Sequence, residues 1–142
     1  MRKIIGIAIV LIANFAFAQE VIIPFNQLPA KAKTFIHQHF KDVKVMNVIQ
    51  DKDVFSKDFD LNFENGTKIE FDRTGNWKEI KTLSGSVPSS LVPAKIKQYI
   101  SNNYKGANIV EINKDAYKID VELSNGVDLD FDKNGNFLRI DR

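Results

Sequence analysis

The chain has 142 residues, of which 44% are hydrophobic and 27% charged, an ordinary balance for one modest globular domain or two very small ones that share a core. Cysteine is absent, which excludes disulfides, thiolate nucleophiles and cysteine-ligated metals. The net charge is +2, and without the N-terminal bases Arg2 and Lys3 the chain holds 18 basic and 18 acidic residues, so its charge does not favour a nucleic-acid partner.

The N-terminus has the three regions of a secretory signal peptide. Arg2 and Lys3 form a positive start, an apolar run extends over residues 4–17, and Ala16-Phe17-Ala18 fits a signal peptidase site. The apolar run is shorter than the roughly 20 residues that span a membrane, and no cysteine follows it to carry a lipid. We therefore predict that residues 1–18 are removed and that the mature protein is periplasmic or secreted, soluble and without a membrane anchor.

Two helices are predicted at equivalent places in the two halves of the chain. Leu28-Pro29-Ala30 and Val92-Pro93-Ala94, 64 residues apart, each begin one, because proline is favoured in the first helical turn, where its missing N–H has no cost. Apolar residues then recur at the spacing of one helical face. These residues are Leu28, Ala32, Phe35, Ile36 and Phe40 in the first helix, and Ile96, Tyr99, Ile100 and Tyr104 in the second.

Strand patterns follow each helix, starting near Val43 and Ile109. Apolar and polar residues then alternate with a period of two, which means that one face is buried and the other is wet. Asn65-Gly66 and Asn125-Gly126 separate the alternating runs and are a strong hairpin signal, because both central positions of the expected turn need positive φ. The alternating segments are 59–64, 68–72, 119–123 and 128–132.

The hairpin of residues 59–80 recurs without a gap at residues 119–140. We therefore predict an α+β fold made by tandem duplication of an α-β-β-β-β unit, with two helices packed on one face of antiparallel sheet(s) of up to eight strands. After the signal peptide, the first repeat is residues 19–83 and the second is residues 84–142, and together they form one compact domain. The repeat offset falls from 64 to 60 between helix and hairpin, which predicts a longer hairpin tip at Gln50–Asp58.

The helix starts, the Asn-Gly turns and the motif Phe-Asp-x-x-Gly-Asn carry a family resemblance. The last motif stands at Phe71–Asn76 and again at Phe131–Asn136. In these features the chain resembles the PepSY-like family of periplasmic proteins, whose fold is compared with that of the β-lactamase inhibitor protein. The resemblance covers nearly all of residues 19–142. It implies a tandem helix-on-sheet architecture, an exported location and no established chemistry.

The acidic end of the second repeat offers a candidate metal site. Asp130, Asp132 and Asn134, followed by Gly135, match the start of a calcium loop, and Asn136 adds a further oxygen. The alternative interpretation is a solvated strand face followed by a turn, since turn chemistry alone explains the Asp, Asn and Gly residues. We expect no cofactor and keep calcium at Asp130, Asp132, Asn134 and Asn136 as the alternative.

Catalytic motifs are absent from the sequence. It contains no G-x-S-x-G, H-E-x-x-H or phosphate-binding loop. The histidines His37 and His39 are two residues apart on a predicted helix, so they point in different directions and do not form a metal-binding pair. We therefore predict a protein that is not an enzyme.

Exposed apolar residues are the candidates for contact with a partner. Val54 and Phe55 lie in the predicted tip, and Trp77 lies in the last strand of the first repeat. We predict an exported, non-enzymatic module that binds or inhibits an unknown protein of the cell envelope. The alternative is an envelope protein that binds calcium or a small ligand with the acidic face of its second repeat.

Overall fold

Nine strands form one antiparallel sheet in the computed structural model, which describes residues 19–53 and 56–141. Each strand lies in the sheet beside its neighbours in sequence. The predicted signal peptide, residues 1–18, lies outside the described residues. The elements are β1 (Glu20–Ile23), α1 (Ala30–His39), β2 (Val45–Asp51), β3 (Phe59–Phe63), β4 (Lys68–Phe71), β5 (Trp77–Lys81), α2 (Ala94–Asn103), β6 (Ile109–Lys114), β7 (Lys118–Leu123), β8 (Asp128–Asp132) and β9 (Phe137–Asp141).

The predicted α+β class and antiparallel arrangement are confirmed, and the two repeats share one continuous sheet. The repeats join where β5 pairs with β6, with Ile80 opposite Ile112. The expectation of up to eight strands is one short, because β1 pairs with β2 and adds a ninth. The apolar residues of β1, Val21–Ile23, are consecutive rather than alternating, so their periodicity gives no strand signal.

The helices lie on one face of the sheet and pack on the repeated phenylalanines. Phe35 of α1 meets the ring of Phe71 edge-on at a centroid distance of 5.7 Å, and Tyr99 of α2 meets Phe131 in the same way at 5.5 Å. Burial of such aromatic pairs against a sheet is a large contribution to a core of this size. Within residues 19–53 and 56–141, neither helix is long and apolar enough to cross a membrane.

Burial along the strands alternates as the sequence pattern predicts. Every second residue of β3 and of β7 is buried, and the residues between them are partly exposed. The buried residues join the helices in one hydrophobic core that is continuous across both repeats. The opposite face, called here the polar face, carries acidic and basic side chains. The buried strand residues are Phe59, Leu61 and Phe63 in β3, and Ile119, Val121 and Leu123 in β7.

The hairpin turns differ from the turn expected at Asn-Gly. In the part of the chain that the structure describes, only glycines have positive φ, so Asn65 is not left-handed. The N–H of Gly66 donates to Phe63 O at 3.1 Å and the N–H of Phe63 donates to Thr67 O at 2.9 Å, which defines a three-residue loop with a left-handed glycine at its end. The Asn65 side chain accepts the N–H of Thr67 at 2.9 Å, so asparagine acts here through its side chain.

The Phe-Asp-x-x-Gly-Asn motif joins a hairpin to the start of a helix. The Asp72 carboxylate accepts the N–H of Thr74 at 2.8 Å and that of Asn76 at 3.0 Å, which closes the β4–β5 turn. Gly75 has φ +88°, and a Cβ there would lie 2.9 Å from the backbone nitrogen of Ala32 in the first turn of α1. The Lys31 ammonium donates to Asn76 Oδ1 from the same helical turn. The repeated motif is therefore a structural clamp.

Candidate functional site

The four residues predicted as calcium ligands divide between the polar face and the β8–β9 turn. The Asp130 side chain is 2% exposed, and its Oδ2 lies 2.7 Å from Arg139 Nη2 and 3.3 Å from Lys118 Nζ. Burial opposes ionisation of this carboxyl, but hydrogen bonds with Asp120 and Lys118, together with the charge of Arg139, lower its pKa. Burial also raises the pKa of the neighbouring Asp120.

The other three candidates form the turn after β8. The Asp132 carboxylate accepts the N–H of Asn134 at 2.9 Å, the N–H of Asn136 at 2.8 Å and the side-chain amide of Asn136 at 2.8 Å. Asn136 Oδ1 in turn accepts from Lys95 Nζ at 3.1 Å. Over residues 19–53 and 56–141 no group of three or more His, Asp or Glu side chains is spaced to hold a metal ion. Calcium at Asp130 and these residues stays a prediction.

The polar face has a different charge layout in each repeat. In the first repeat, Lys78 Nζ from β5 lies 2.9 Å from the carboxylates of Asp58 and Glu70, and the hydrogen bond with Asp58 raises the pKa of Lys78. In the second repeat the bridging cation is Lys118, which comes from β7. The residue at the position of Lys78 is Leu138, which is 56% exposed.

The three predicted contact residues are not brought together. Val54 and Phe55 lie outside the described residues. Trp77 is partly buried at the junction of the repeats, with Lys114 Nζ 3.7 Å from its ring centroid and the ring of Phe35 at 6.4 Å. The burial of this lysine, followed by the charge of Lys31, lowers the pKa of Lys114. A contact role for these residues stays a prediction.

The outer edge of β9 is an exposed apolar surface that the sequence analysis did not single out. β5, its counterpart, pairs with strands on both sides, whereas β9 pairs only with β8 within the described part of the chain. Ile80 in β5 is 0% exposed, but the equivalent Ile140 is 47% exposed. Phe137 and Leu138 are also exposed large hydrophobics. The sequence signal that could have identified this surface is Leu138, an apolar residue at the position where the first repeat has a lysine.

Comparison with known proteins places this architecture in a family. A family model described as "putative beta-lactamase-inhibitor-like, PepSY-like" matches residues 57–139. The chain belongs to the PepSY-like family. The family predicted from the repeated motifs is thus confirmed. The matched region runs from the start of β3 into β9, so it includes both copies of the Phe-Asp-x-x-Gly-Asn clamp.

Three solved structures of similar proteins share the fold of this PepSY-like chain over 87% of its length. A "putative calcium-regulated periplasmic protein" from Bacteroides thetaiotaomicron is 38% identical, with a TM-score of 0.84 and 97% of its own chain covered. A "putative periplasmic protein from DUF2874 family" from Bacteroides vulgatus is 41% identical, with a TM-score of 0.82 and 97% covered. A "putative periplasmic protein of unknown function" from the same species is 33% identical, with a TM-score of 0.83 and 100% covered. No curated protein matches the chain.

Proposed function

We propose that this PepSY-like chain is an exported periplasmic module, without enzymatic activity, that binds another protein through the outer edge of β9. The periplasmic location is supported by the N-terminal sequence pattern and by the relatives, which are described as periplasmic. The observation that carries the binding role is the outer edge of β9, which has exposed apolar side chains and no pairing strand among residues 19–53 and 56–141.

The first repeat shows how a neighbouring strand pairs at the position equivalent to the β9 edge. β6 pairs along β5, with Ile112 opposite Ile80, and Ile80 is completely buried. An extended partner segment that paired with β9 in the same way would cover Ile140 and complete the backbone hydrogen bonds of the edge. This is β-strand addition, in which main-chain hydrogen bonds give affinity and alternate side chains give specificity.

Both faces of β9 support an apolar partner strand. Ile140 lies opposite Leu129, a core residue, so its side chain is on the helix side of the sheet. Leu138 lies on the polar side, at the position where Lys78 forms ion pairs in the first repeat. Natural edge strands are commonly protected by charged side chains, and the exposed Leu138 supplies no charge at its position in this edge.

The experiment is capture of periplasmic proteins by purified residues 19–142. The variant Leu138→Lys places the residue of the first repeat at the β9 edge, and we expect the recovery of the bound protein to fall at least tenfold. The control is Tyr117→Lys, because Tyr117 is 84% exposed in the β6–β7 turn, and β8 separates β7 from β9 in the sheet. Equal recovery with Leu138→Lys and the unaltered chain would exclude the β9 edge as the binding surface. A dimer of the purified chain that Leu138→Lys abolishes would make the partner a second copy.

Calcium binding is a second candidate, favoured by the relative described as calcium-regulated, which is 38% identical. The polar face of the second repeat has a cavity of about 110 Å³ lined by acidic residues, and calcium takes six to eight oxygen ligands. Binding there requires Asp130 to exchange Lys118 and Arg139 for the ion. The acidic lining residues are Glu111, Asp120, Glu122, Asp128, Asp130 and Asp141.

Thermal unfolding with and without calcium tests this candidate. Calcium at about 100 times its dissociation constant would stabilise the protein by about 2.7 kcal/mol. Asp130→Asn should abolish the effect if the ion binds on the polar face, and Asp132→Ala should abolish it if the ion binds at the turn. A melting temperature that does not depend on millimolar calcium would exclude both sites.

A further inference from the structure

The second repeat contains an apolar cavity of about 470 Å³ at the C-terminal end of α2. Its floor consists of the buried residues Val87, Val92 and Ile100. A cavity of this size is within the range of small-molecule sites, which are typically concave and mostly apolar with a few polar groups at their margin.

The cavity exists because large residues of the first repeat are small in the second. In the first repeat the ring of Phe25 is partly buried against the core and meets His37 edge-on at 6.0 Å. The positions 64 residues later are Ser89 and Ser101, and both line the cavity. A third position changes in the same direction, from Val43 to Ala107.

The charge of the lining differs between the repeats in a way that favours an anion. Lys97 and Lys105 line the cavity, and no acidic residue does. At the equivalent of Gly106 the first repeat has an acid, Asp42, next to Lys41, so this part of the surface loses a negative charge in the second repeat. Two lysine side chains in the lining, together with an apolar floor, complement a molecule with a hydrocarbon body and one anionic end.

We propose that this cavity binds a small amphipathic carboxylate of the medium-chain fatty acid type. The hydrocarbon chain lies on the floor of Val87, Val92 and Ile100, and the carboxylate faces Lys97 and Lys105. Because Ser89 and Ser101 are small, they leave space for the hydrocarbon chain of the ligand. The lining does not include any residue of β9, and the proposal does not depend on protein binding at the β9 edge.

Calorimetric titration of residues 19–142 with decanoate tests the proposal. Decanoate should bind, octanoate should bind about tenfold more weakly because two buried methylenes are lost, and decyltrimethylammonium should not bind. Absence of decanoate binding at millimolar concentration would overturn the proposal. Equal binding of decyltrimethylammonium would overturn the assignment of an anion.

Two variants examine the shape and the charge of the site separately. The double variant Ser89→Phe, Ser101→His restores the residues of the first repeat and should weaken decanoate binding at least tenfold. Lys97→Gln with Lys105→Gln changes two exposed lysines and should also weaken it, so this variant decides the matter if the first does not fold. Unchanged affinity in a folded variant of either kind contradicts the proposal.

Matched substitutions in the first repeat provide the control. Lys33 and Lys41 occupy the positions equivalent to Lys97 and Lys105. Lys33→Gln with Lys41→Gln removes the same charge from the protein and should leave the affinity for decanoate unchanged. An equal loss in this control would mean that decanoate responds to net charge alone, which would also refute the site.

Discussion

Gly75 and Gly126 provide a matched test of the clamp between hairpin and helix. Both glycines are left-handed, with φ of +88° and +82°. Alanine at either position therefore bears the strain of a left-handed residue, about 1–2 kcal/mol, partly offset by about 0.4–1 kcal/mol because alanine restricts the unfolded chain. The backbone contribution is the same for Gly75→Ala and Gly126→Ala.

The surroundings of the two glycines differ. A Cβ at Gly75 would lie 2.9 Å from Ala32 N and 2.9 Å from Pro29 Cβ, whereas a Cβ at Gly126 would meet nothing within 4 Å. Ala32 N belongs to the backbone of α1, so the turn and the helix must move apart, at about 1–3 kcal/mol for an overpacked site. Gly75→Ala should therefore lower the free energy of unfolding by about 1–3 kcal/mol more than Gly126→Ala.

Urea unfolding of residues 19–142 measures this difference, provided that the two variants have similar m-values. Gly135→Ala should fall between them, because its nearest contact is the side-chain atom Lys95 Cβ at 3.2 Å, which is tighter than ordinary packing but less close than the 2.9 Å contacts at Gly75. Equal losses for Gly75→Ala and Gly126→Ala would show that the β4–β5 turn does not bear on α1, and the clamp would be refuted.

Three further predictions concern the core, the turn and the polar face. In urea unfolding, Ile80→Ala should reduce the free energy of unfolding by about 2–5 kcal/mol and Ile140→Ala by less than about 1 kcal/mol. The reason is that the Ile80 side chain is 0% exposed and that of Ile140 is 47% exposed. Similar losses in the two variants would mean that another part of the protein covers β9. Burial would raise the pKa of Asp72, but hydrogen bonds from its turn lower it to about 2, so its stabilisation is complete above about pH 4 and is lost as the pH falls towards 2. Acid titration of Asp72→Asn should lack that loss, of about 1 kcal/mol after allowance for solvent screening, and an unchanged acid limb would contradict it. Asp130→Leu should change the free energy of unfolding by less than about 1 kcal/mol at pH 7 in thermal unfolding, because Arg139 is 65% exposed and Lys118 keeps Asp120 at 2.9 Å, so water and Asp120 stabilise the two cations; a loss of about 3 kcal/mol would show that they depend on the buried carboxylate.

Local chemistry made much of the fold predictable. The prolines at the helix starts, the alternating strands and the repeated turns are short-range signals. Because they occur twice in the same order, they predicted a tandem duplication of one α-β-β-β-β unit. The type of hairpin turn was wrong in detail, because Asn65 supplies a side-chain acceptor and not a positive φ. The strand β1 was missed because its apolar residues do not alternate and only its pairing with β2 makes it a strand.

The candidate surfaces exist where a neighbouring strand or a large side chain is missing in the second repeat. An alignment of the two repeats does not show which residues are neighbours in the fold. Ile80 and Ile140 occupy equivalent positions, yet Ile80 is buried in a strand that pairs with β6 and Ile140 is half-exposed in an edge strand. The apolar cavity had a sequence signal in the pair Phe25 and Ser89, but its meaning depends on two further segments, in α2 and before β6, that meet the segment of Ser89 only in the folded chain. The acidic pattern around Asp132 indicated a turn or a cation site, and the turn uses the carboxylate for its own hydrogen bonds.

Hydrogen–deuterium exchange on the chain with its captured periplasmic partner is the most direct test of binding at the β9 edge. Strand addition places new hydrogen bonds on the N–H groups of β9 that point away from β8, so those alternate amides among residues 137–141 should exchange at least tenfold more slowly in the complex. The amides of β1, at the opposite edge of the sheet, should exchange as in the free chain. Unchanged exchange in β9, with protection appearing elsewhere, would contradict the proposed function.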